Sequence, residues 1–173
     1  MSKQPLPEPV CYSCRQSNAS LKKGYQCGLC QNLLCKKCIF PLNKSFFSFL
    51  KEVPEELTHT AYCNTCYHQK VAPAMETYLE TMQRAEGLYV FEKASRHVPL
   101  IMRSKHKISV ENCADRKETI LRLAFLAAEQ AFNAITGVEV VCEKVRISGY
   151  QTSKWSATGY ASKIDVLGLR EQS

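Results

Sequence analysis

Eight cysteines between Cys11 and Cys66 are the residues whose type and spacing predict chemistry in this sequence. They form four pairs with two residues between the cysteines of each pair: Cys11/Cys14, Cys27/Cys30, Cys35/Cys38 and Cys63/Cys66. Two intervening residues let one tight turn direct two thiolates at a common point, and a tetrahedral Zn²⁺ ion needs two such turns. Four pairs therefore predict two zinc ions per chain, each with four cysteine ligands. Such sites leave no open position for a substrate or a water molecule, which indicates structural metals.

The gap between the second and third pairs indicates how the pairs combine. Only four residues separate Cys30 from Cys35, which is too short for these two pairs to wrap around one ion. We therefore predict an interleaved arrangement, in which pairs one and three bind one zinc and pairs two and four bind the other. The predicted ligands are Cys11, Cys14, Cys35 and Cys38 for zinc 1, and Cys27, Cys30, Cys63 and Cys66 for zinc 2.

Disulfides and redox chemistry are the alternative uses of these cysteines. Residues 1–10 contain no charged segment followed by an apolar run, so nothing directs the chain to an oxidising compartment, and we expect a cytoplasmic protein. An iron–sulfur protein or a redox enzyme is the second alternative, but redox pairs with this spacing occur singly rather than four at a time. His59 and His68 lie beside the fourth pair, but eight thiolates already complete both sites, and we predict that both histidines are exposed bystanders.

The cysteine spacing resembles that of the FYVE zinc finger and the related Rab-effector zinc domains. The gaps between the four pairs are twelve, four and twenty-four residues. This resemblance implies a cross-braced module with two zinc ions. FYVE domains that bind phosphatidylinositol 3-phosphate also carry a tryptophan motif before the first pair, a basic run with two histidines, and an arginine before the seventh cysteine. This sequence has no tryptophan before Cys11, and it has Gly24-Tyr25-Gln26 and Thr60-Ala61-Tyr62 at the other two places.

Two alternative functions follow from this module. Leu21, Lys22 and Lys23 could contact a membrane or another anion, since each basic residue near an anionic surface contributes about 1 kcal/mol. A peripheral phosphoinositide-binding protein is therefore the first alternative. A RING-like ubiquitin-ligase adaptor is the second, and the short gap after Cys30 disfavours it.

The charge of the chain disfavours nucleic acid as a partner. The formal net charge is +7, but eight thiolates with two Zn²⁺ ions carry about −4, which leaves about +3. The sequence contains no arginine-rich block and no basic stripe with interleaved aromatic residues. No apolar run is long enough to span a membrane.

The pattern of residues divides the chain into four parts and predicts the α+β class. Residues 1–10 read as a flexible leader, 11–70 as the FYVE-like zinc finger, 71–87 as a linker helix and 88–173 as a small α+β domain. Within the finger, Phe46, Phe47 and Phe49 predict a mini-core that covers the zinc sites, with a partner or membrane contact as the alternative. The linker helix is predicted over residues 72–85, and its apolar face contains Val71, Met75, Leu79 with Tyr78, and Met82.

The last part of the chain predicts strands around one apolar helix. We predict strands at residues 88–91, 138–147 and 154–164, and weaker strand edges at Ile101 and residues 108–110. Asp115 and Glu118 form a helix-start signal for a helix over residues 120–135, which Gly137 is expected to end. The apolar surface of this helix is wide enough to predict contact with a second layer or another subunit.

Two stretches of this part, residues 126–140 and 155–161, resemble the YbjQ-like bacterial family. The resemblance rests on the alanine-rich helix that leads into Gly137 and on the later small-residue strand. It implies a small α+β fold that forms homo-oligomeric rings and has no established activity.

No catalytic constellation is present in the sequence. Cys113 and Cys142 have no histidine nearby in sequence, and we predict that both are buried as small apolar residues. Residues 96–107 read as a basic, solvated connection. The sequence thus predicts a non-enzymatic interaction protein in which a zinc module, with an unidentified protein partner, is joined to an oligomerising α+β domain.

Overall fold

The computed structural model describes residues 10–17, 24–147 and 150–170 of the chain. Helices and strands are mixed along it, which confirms the predicted α+β class. The chain divides into two compact units, Met1–Tyr78 and Leu79–Ser173. Within the described residues, none of the helices has the length and apolar character needed to cross a membrane.

The first unit is built from very short elements. Two antiparallel hairpins pair strand β1 with β2 and strand β3 with β4, and their ranges are Tyr25–Gln26, Leu33–Leu34, Phe40–Pro41 and Ala61–Tyr62. Two 3-10 turns follow β3, at Lys44–Phe47 and Glu55–Leu57. The single helical turn α1 (Asn64–Cys66) leads through a π turn, Tyr67–Val71, into helix α2, Ala72–Glu86. Because these elements are so short, most of the cysteines lie in the loops between them.

The aromatic segment after β3 is partly buried. Phe47 is 2% exposed, and its ring meets the edge of the Tyr78 ring at a centroid distance of 5.2 Å. The Tyr78 hydroxyl donates a hydrogen bond of 2.7 Å to the Phe46 carbonyl oxygen. The ring of Phe46 is nevertheless 69% exposed. The predicted mini-core is therefore correct for Phe47 and wrong for Phe46.

Helix α2 has the predicted position and largely the predicted buried face. Val71 and Tyr78 are buried as predicted, and Met75 and Met82 are half-buried, but Leu79 is 59% exposed. Val71, Tyr78 and Ala85 recur at intervals of seven residues, and Thr81 is buried with them. Seven residues are about two helical turns, so these side chains share one face, and Leu79 lies beside that face.

The second unit contains a four-stranded sheet with the order β5-β7-β8-β6. The strands are β5 (Tyr89–Glu92), β6 (Leu100–Cys113), β7 (Ala134–Ile147) and β8 (Tyr150–Ile164). Strand β5 is parallel to β7, and the other pairs are antiparallel. The prediction of a basic connection over residues 96–107 was wrong from Leu100 onward. Pairing with β8 makes this stretch a strand although most of its side chains are exposed.

Helix α3 (Arg116–Glu129) packs on one face of this sheet. Its cap is the predicted Asp115, and the helix begins directly after it rather than at residue 120. The Asp115 carboxylate accepts a 2.8 Å hydrogen bond from the N–H of Glu118, and the Glu118 carboxylate accepts one of 2.7 Å from the N–H of Ala114. These reciprocal bonds satisfy N–H groups that would otherwise lack partners at the start of the helix. A short helix α4, Val166–Arg170, follows β8.

The predicted end of α3 at Gly137 was wrong. The N–H of Phe132 donates to the carbonyl of Ala127, and the N–H of Ala131 donates to that of Ala128, with distances of 3.1 and 3.0 Å. This pair of bonds is a Schellman motif, and it places Ala131 in the left-handed region at φ 58°. Gly137 lies inside β7 instead, at φ 63°, where the register between β7 and β8 shifts.

The position of Ala131 leads to a stability prediction. An alanine in the left-handed region is strained relative to glycine by about 1 kcal/mol. We expect Ala131→Gly to raise the free energy of unfolding of the second unit by about that amount, as measured by urea denaturation. Ala128→Gly is the matched control, since Ala128 is buried within the helix and its replacement should lower stability by about 1 kcal/mol or more. A loss of stability in Ala131→Gly would contradict this account of the helix end.

Candidate metal centre

Two groups of four cysteine sulfurs gather in the first unit. Within each group, all four sulfur atoms lie within 4.8 Å of one another. One group consists of Cys11, Cys14, Cys35 and Cys38, and the other of Cys27, Cys30, Cys63 and Cys66. Each group thus combines alternate pairs along the chain. This arrangement could bind two zinc ions and is consistent with a two-zinc module.

The sulfur separations fit a tetrahedral ion. Zn–S bonds of about 2.3 Å place the sulfurs of a tetrahedron about 3.8 Å apart. The sulfurs of Cys14 and Cys35 are 3.9 Å apart, and those of Cys30 and Cys63 are 3.8 Å apart. All eight cysteines are free thiols rather than disulfides. The donor set of each group therefore suits Zn²⁺ in size and in chemistry.

The first two cysteine pairs have the same backbone turn. The N–H of Arg15 donates to the Cys11 carbonyl, and the N–H of Gln31 donates to the Cys27 carbonyl, both at 2.9 Å. Arg15 and Gln31 are both in the left-handed region, at φ 59° and 61°. Each turn follows the second cysteine of its pair and reverses the chain there. The two sulfurs of the pair then point to the same side.

Backbone N–H groups connect the pairs within each group in the same way. The N–H of Cys35 donates to the Cys11 sulfur, and the N–H of Cys63 donates to the Cys27 sulfur, both at 3.3 Å. These donors stabilise thiolate charge, and they are the site features that the sequence did not reveal. The side-chain amide of Asn32 adds a further donor, at 3.3 Å from the Cys30 sulfur.

These donors separate the pKa values of the thiols. Burial opposes ionisation of Cys11, but the N–H groups of Cys14 and Cys35 outweigh it and lower the pKa of Cys11 to about 6. The pKa of Cys27 falls to about 6 for the same reason, with the N–H groups of Cys30 and Cys63 as the main donors. Hydrogen bonding to the Cys35 thiol, with burial, raises the pKa of Cys38 to about 12.

The same pattern appears at the second group, where burial and the neighbouring Cys63 thiol raise the pKa of Cys66. In each group, hydrogen bonding therefore lowers the pKa of one thiol and, with burial, raises that of another. Binding of a divalent ion to such a group releases protons.

The fourth pair lies at the start of a helix. Cys63 is the N-cap of α1, and its sulfur accepts a hydrogen bond of 3.4 Å from the N–H of Cys66. The helix continues through the π turn into α2. The fourth pair is therefore fixed by helix geometry, whereas the first two pairs are fixed by loop turns.

His59 is not the exposed bystander that the sequence predicted. It is half-buried, its backbone N–H donates to the Tyr62 hydroxyl at 3.0 Å, and its ring packs against the Tyr62 ring with centroids 6.3 Å apart. It also closes over Gly28, where an added Cβ would lie 2.2 Å from the His59 Cβ. His68 is exposed, as predicted. Neither histidine belongs to the sulfur groups.

The close approach of His59 to Gly28 leaves no room for a methyl group on Gly28. We expect Gly28→Ala to destabilise the first unit by about 1–3 kcal/mol, because the added Cβ must push His59 away from the second cysteine pair. Tyr12 occupies the corresponding position of the first pair and is 43% exposed, so Tyr12→Ala is the matched control. Thermal unfolding of both variants with bound metal measures the difference. Equal melting temperatures for the two variants would show that the His59 contact does not constrain this turn.

The remaining predicted residues separate into three cases. Leu21, Lys22 and Lys23, the predicted membrane or anion contact, lie outside the described residues. Cys113 is buried in the second unit as predicted, at 3% exposure. Cys142 is exposed on β7, so the prediction that it is buried was wrong.

Comparison of the chain with protein-family models, with curated proteins and with solved structures found no match. The fold and the site define the protein as an α+β protein with two interleaved four-cysteine groups. Its resemblances to the FYVE and YbjQ-like families stay predictions from the sequence.

Proposed function

We propose that each cysteine group binds one structural Zn²⁺ ion and that the chain is a non-enzymatic interaction protein with a FYVE-like, cross-braced zinc module. The observation that carries this proposal is the gathering of eight sulfurs into two groups with the edge length of a zinc tetrahedron. Four thiolates complete the coordination of each ion, so neither metal has an open position for catalysis. The zinc ions then act by holding short loops in one conformation.

The exposed side chains of the first unit support a protein partner. Among the described residues of this unit, five large apolar side chains are exposed by more than a third: Val10, Tyr12, Tyr25, Phe46 and Val53. Exposed aromatic residues are enriched at protein–protein contacts. Phe46 has the largest exposed fraction of these five, and its backbone is held by the Tyr78 hydroxyl. An ordered, exposed ring of this kind suits insertion into a pocket of a partner protein.

Strand β6 supports the proposed homo-oligomer. It forms one edge of the sheet, and it begins with three consecutive exposed apolar residues, Leu100, Ile101 and Met102. Their side chains are 47%, 64% and 52% exposed. An apolar edge strand offers unpaired backbone groups to another chain. An assembly of several copies joined in this way would bind a multivalent partner more tightly than a single zinc module does.

Metal analysis and light scattering test the two halves of the proposal separately. Elemental analysis of the purified protein is expected to find two zinc ions per chain, and light scattering is expected to find a mass well above the 19.6 kDa of one chain. One zinc per chain, or the visible absorbance of iron–sulfur clusters, would contradict the metal assignment. A single-chain mass would contradict the oligomer alone.

The proposed partner contact is tested with a photo-crosslinking residue in place of Phe46 in cells. We expect a discrete crosslinked protein from this position and none from Glu76, an exposed position on α2. Sedimentation with vesicles that contain phosphatidylinositol 3-phosphate tests the membrane alternative. Pelleting that Lys22→Glu and Lys23→Glu abolish would replace the protein partner with a lipid surface.

A further inference from the structure

The second unit contains a cleft on the sheet, and of the residues named for the proposed oligomer contact only Leu100 lines it. Its volume is about 420 Å³, within the range of small-molecule sites. Strands β5, β6, β7 and β8 all contribute to it, together with residues that follow β5. We call it the sheet cleft and define it by Lys93, Arg103, Lys107, Thr136, Glu139 and Tyr160.

The sheet is irregular where it forms this cleft. The register shifts between Val90 and Glu92 for β5 with β7, between Arg103 and Lys107 for β6 with β8, and between Thr136 and Glu139 for β7 with β8. Residues at all three shifts line the cleft. Such bulges redirect side chains and occur often beside functional sites.

The middle of the cleft is formed by Tyr160 of β8. Lys107 and Thr136 are its direct neighbours on the two adjacent strands. The Arg103 guanidinium lies over the Tyr160 ring at 4.3 Å from its centroid. This cation–π contact orients the guanidinium plane and its N–H donors. Among the described residues, Arg103 forms no ion pair with a carboxylate.

The charges of the cleft do not cancel. Lys93 and Lys107 both form ion pairs with the single carboxylate of Glu139, the latter at 3.5 Å. Glu92 also lines the cleft, but Arg116 already neutralises it at 2.7 Å. The cations Lys93, Arg103 and Lys107 are therefore opposed only by the carboxylate of Glu139, and the cleft has a net charge of about +2. This charge is opposite in sign and similar in size to that of a phosphate monoester at pH 7, which is about −1.5 to −2.

The walls of the cleft suit the organic part of such a ligand. Phe91 and Val98 line it and are half-buried. Thr136 and Tyr160 line it too, and the Thr136 hydroxyl lies 2.8 Å from that of Ser162, within hydrogen-bond distance. Few polar groups beside an apolar wall are typical of sites for small organic molecules.

We propose that the sheet cleft binds a small phosphate monoester with an apolar body, with Arg103 and Lys107 on the phosphate group. When no ligand is bound, Glu139 forms ion pairs with Lys93 and Lys107. The phosphate group of the ligand competes with the Glu139 carboxylate for these two lysines. This site is independent of the zinc module, because all of its residues belong to the second unit.

The probe for this site is phenyl phosphate, titrated into the full zinc-loaded chain and followed by amide NMR shifts. We expect saturable shifts centred on Gly137 and Tyr160. Arg103→Ala should weaken binding roughly tenfold, since a charge-assisted hydrogen bond is lost. Glu139→Gln should tighten binding, since the competing carboxylate is gone. Arg146→Ala removes the same charge from an exposed position of β7 outside the cleft and should change nothing.

Three outcomes would overturn the proposal: no saturable shifts at millimolar probe, equal weakening by Arg103→Ala and Arg146→Ala, or equally tight binding of benzoate, which carries one charge fewer. Vesicles with phosphatidylinositol 3-phosphate separate two sources of the phosphate group. Pelleting that Arg103→Ala abolishes identifies a lipid headgroup, whereas phenyl phosphate binding without pelleting identifies a soluble ester. Arg103 and Glu139 are not in the protein core, so both variants should fold, and their melting temperatures check this.

Discussion

Replacing Cys11 and Cys35 together by serine is expected to leave about one zinc ion per chain that resists a chelator. Both sulfurs belong to the same group, so this variant keeps only two ligands in one site and all four in the other. Structural zinc sites have apparent binding free energies of about 10–16 kcal/mol at pH 7, and loss of half of the ligands removes much of this. Native mass spectrometry after a chelator challenge counts the retained ions.

The matched control is the double variant Cys11→Ser with Cys27→Ser. It also removes two sulfurs, but one from each group, so both sites keep three ligands and both ions should become labile. A sequential arrangement, in which pairs one and two share an ion, predicts the reverse result for the two variants. The comparison therefore decides between interleaved and sequential binding without reference to any relative.

Removal of both zinc ions is expected to unfold the first unit and leave the second unit folded. In the described part of the first unit, the strands have two residues each, and the largest fully buried side chains other than cysteines are Leu34, Leu57, Tyr62 and Val71. A core of this size does not offset the conformational entropy of ordering so many loop residues.

Amide hydrogen exchange measures this difference between the two units. After chelation, the N–H groups of Cys27, Leu42 and Cys63 should exchange at nearly the rate of an unfolded chain. Those of β7 and β8 should keep their protection. Cys142→Ser is the control for thiol chemistry, because this exposed cysteine belongs to neither group and its loss should change neither metal content nor exchange. Protection that survives in the first unit would show that its apolar core suffices.

The cysteine spacing was enough to predict the grouping of sulfurs that the structure contains. Two residues between cysteines allow only a tight turn, and the short segment from Cys30 to Cys35 excludes one way of combining the pairs. Local rules also located the start of α3, because the Asp115 and Glu118 capping bonds form within five residues. Residues that are close together in the sequence determine both features, so both can be predicted from the sequence.

Three of the wrong predictions concern features that depend on contacts distant in sequence. The helix end was placed at Gly137 because glycine favours a positive φ, but β8 pairs with β7 from Ala134 onward and forces the helix to end earlier, with Ala131 strained. Residues 100–107 looked like a solvated loop because their side chains are charged, and only pairing with β8 makes them a strand. His59 looked free because Gly28 lies thirty-one residues away.

By itself, the sequence determined the α+β class, the sulfur donors and the way they combine, since these follow from residue type and short-range spacing. The tertiary structure alone decided which backbone N–H groups point at Cys11 and Cys27, where His59 closes on Gly28, and how three register shifts bring Arg103, Lys107 and Glu139 around Tyr160. Hydrogen bonds and strand register join residues that are far apart along the chain, and the pattern of neighbours in the sequence does not contain them.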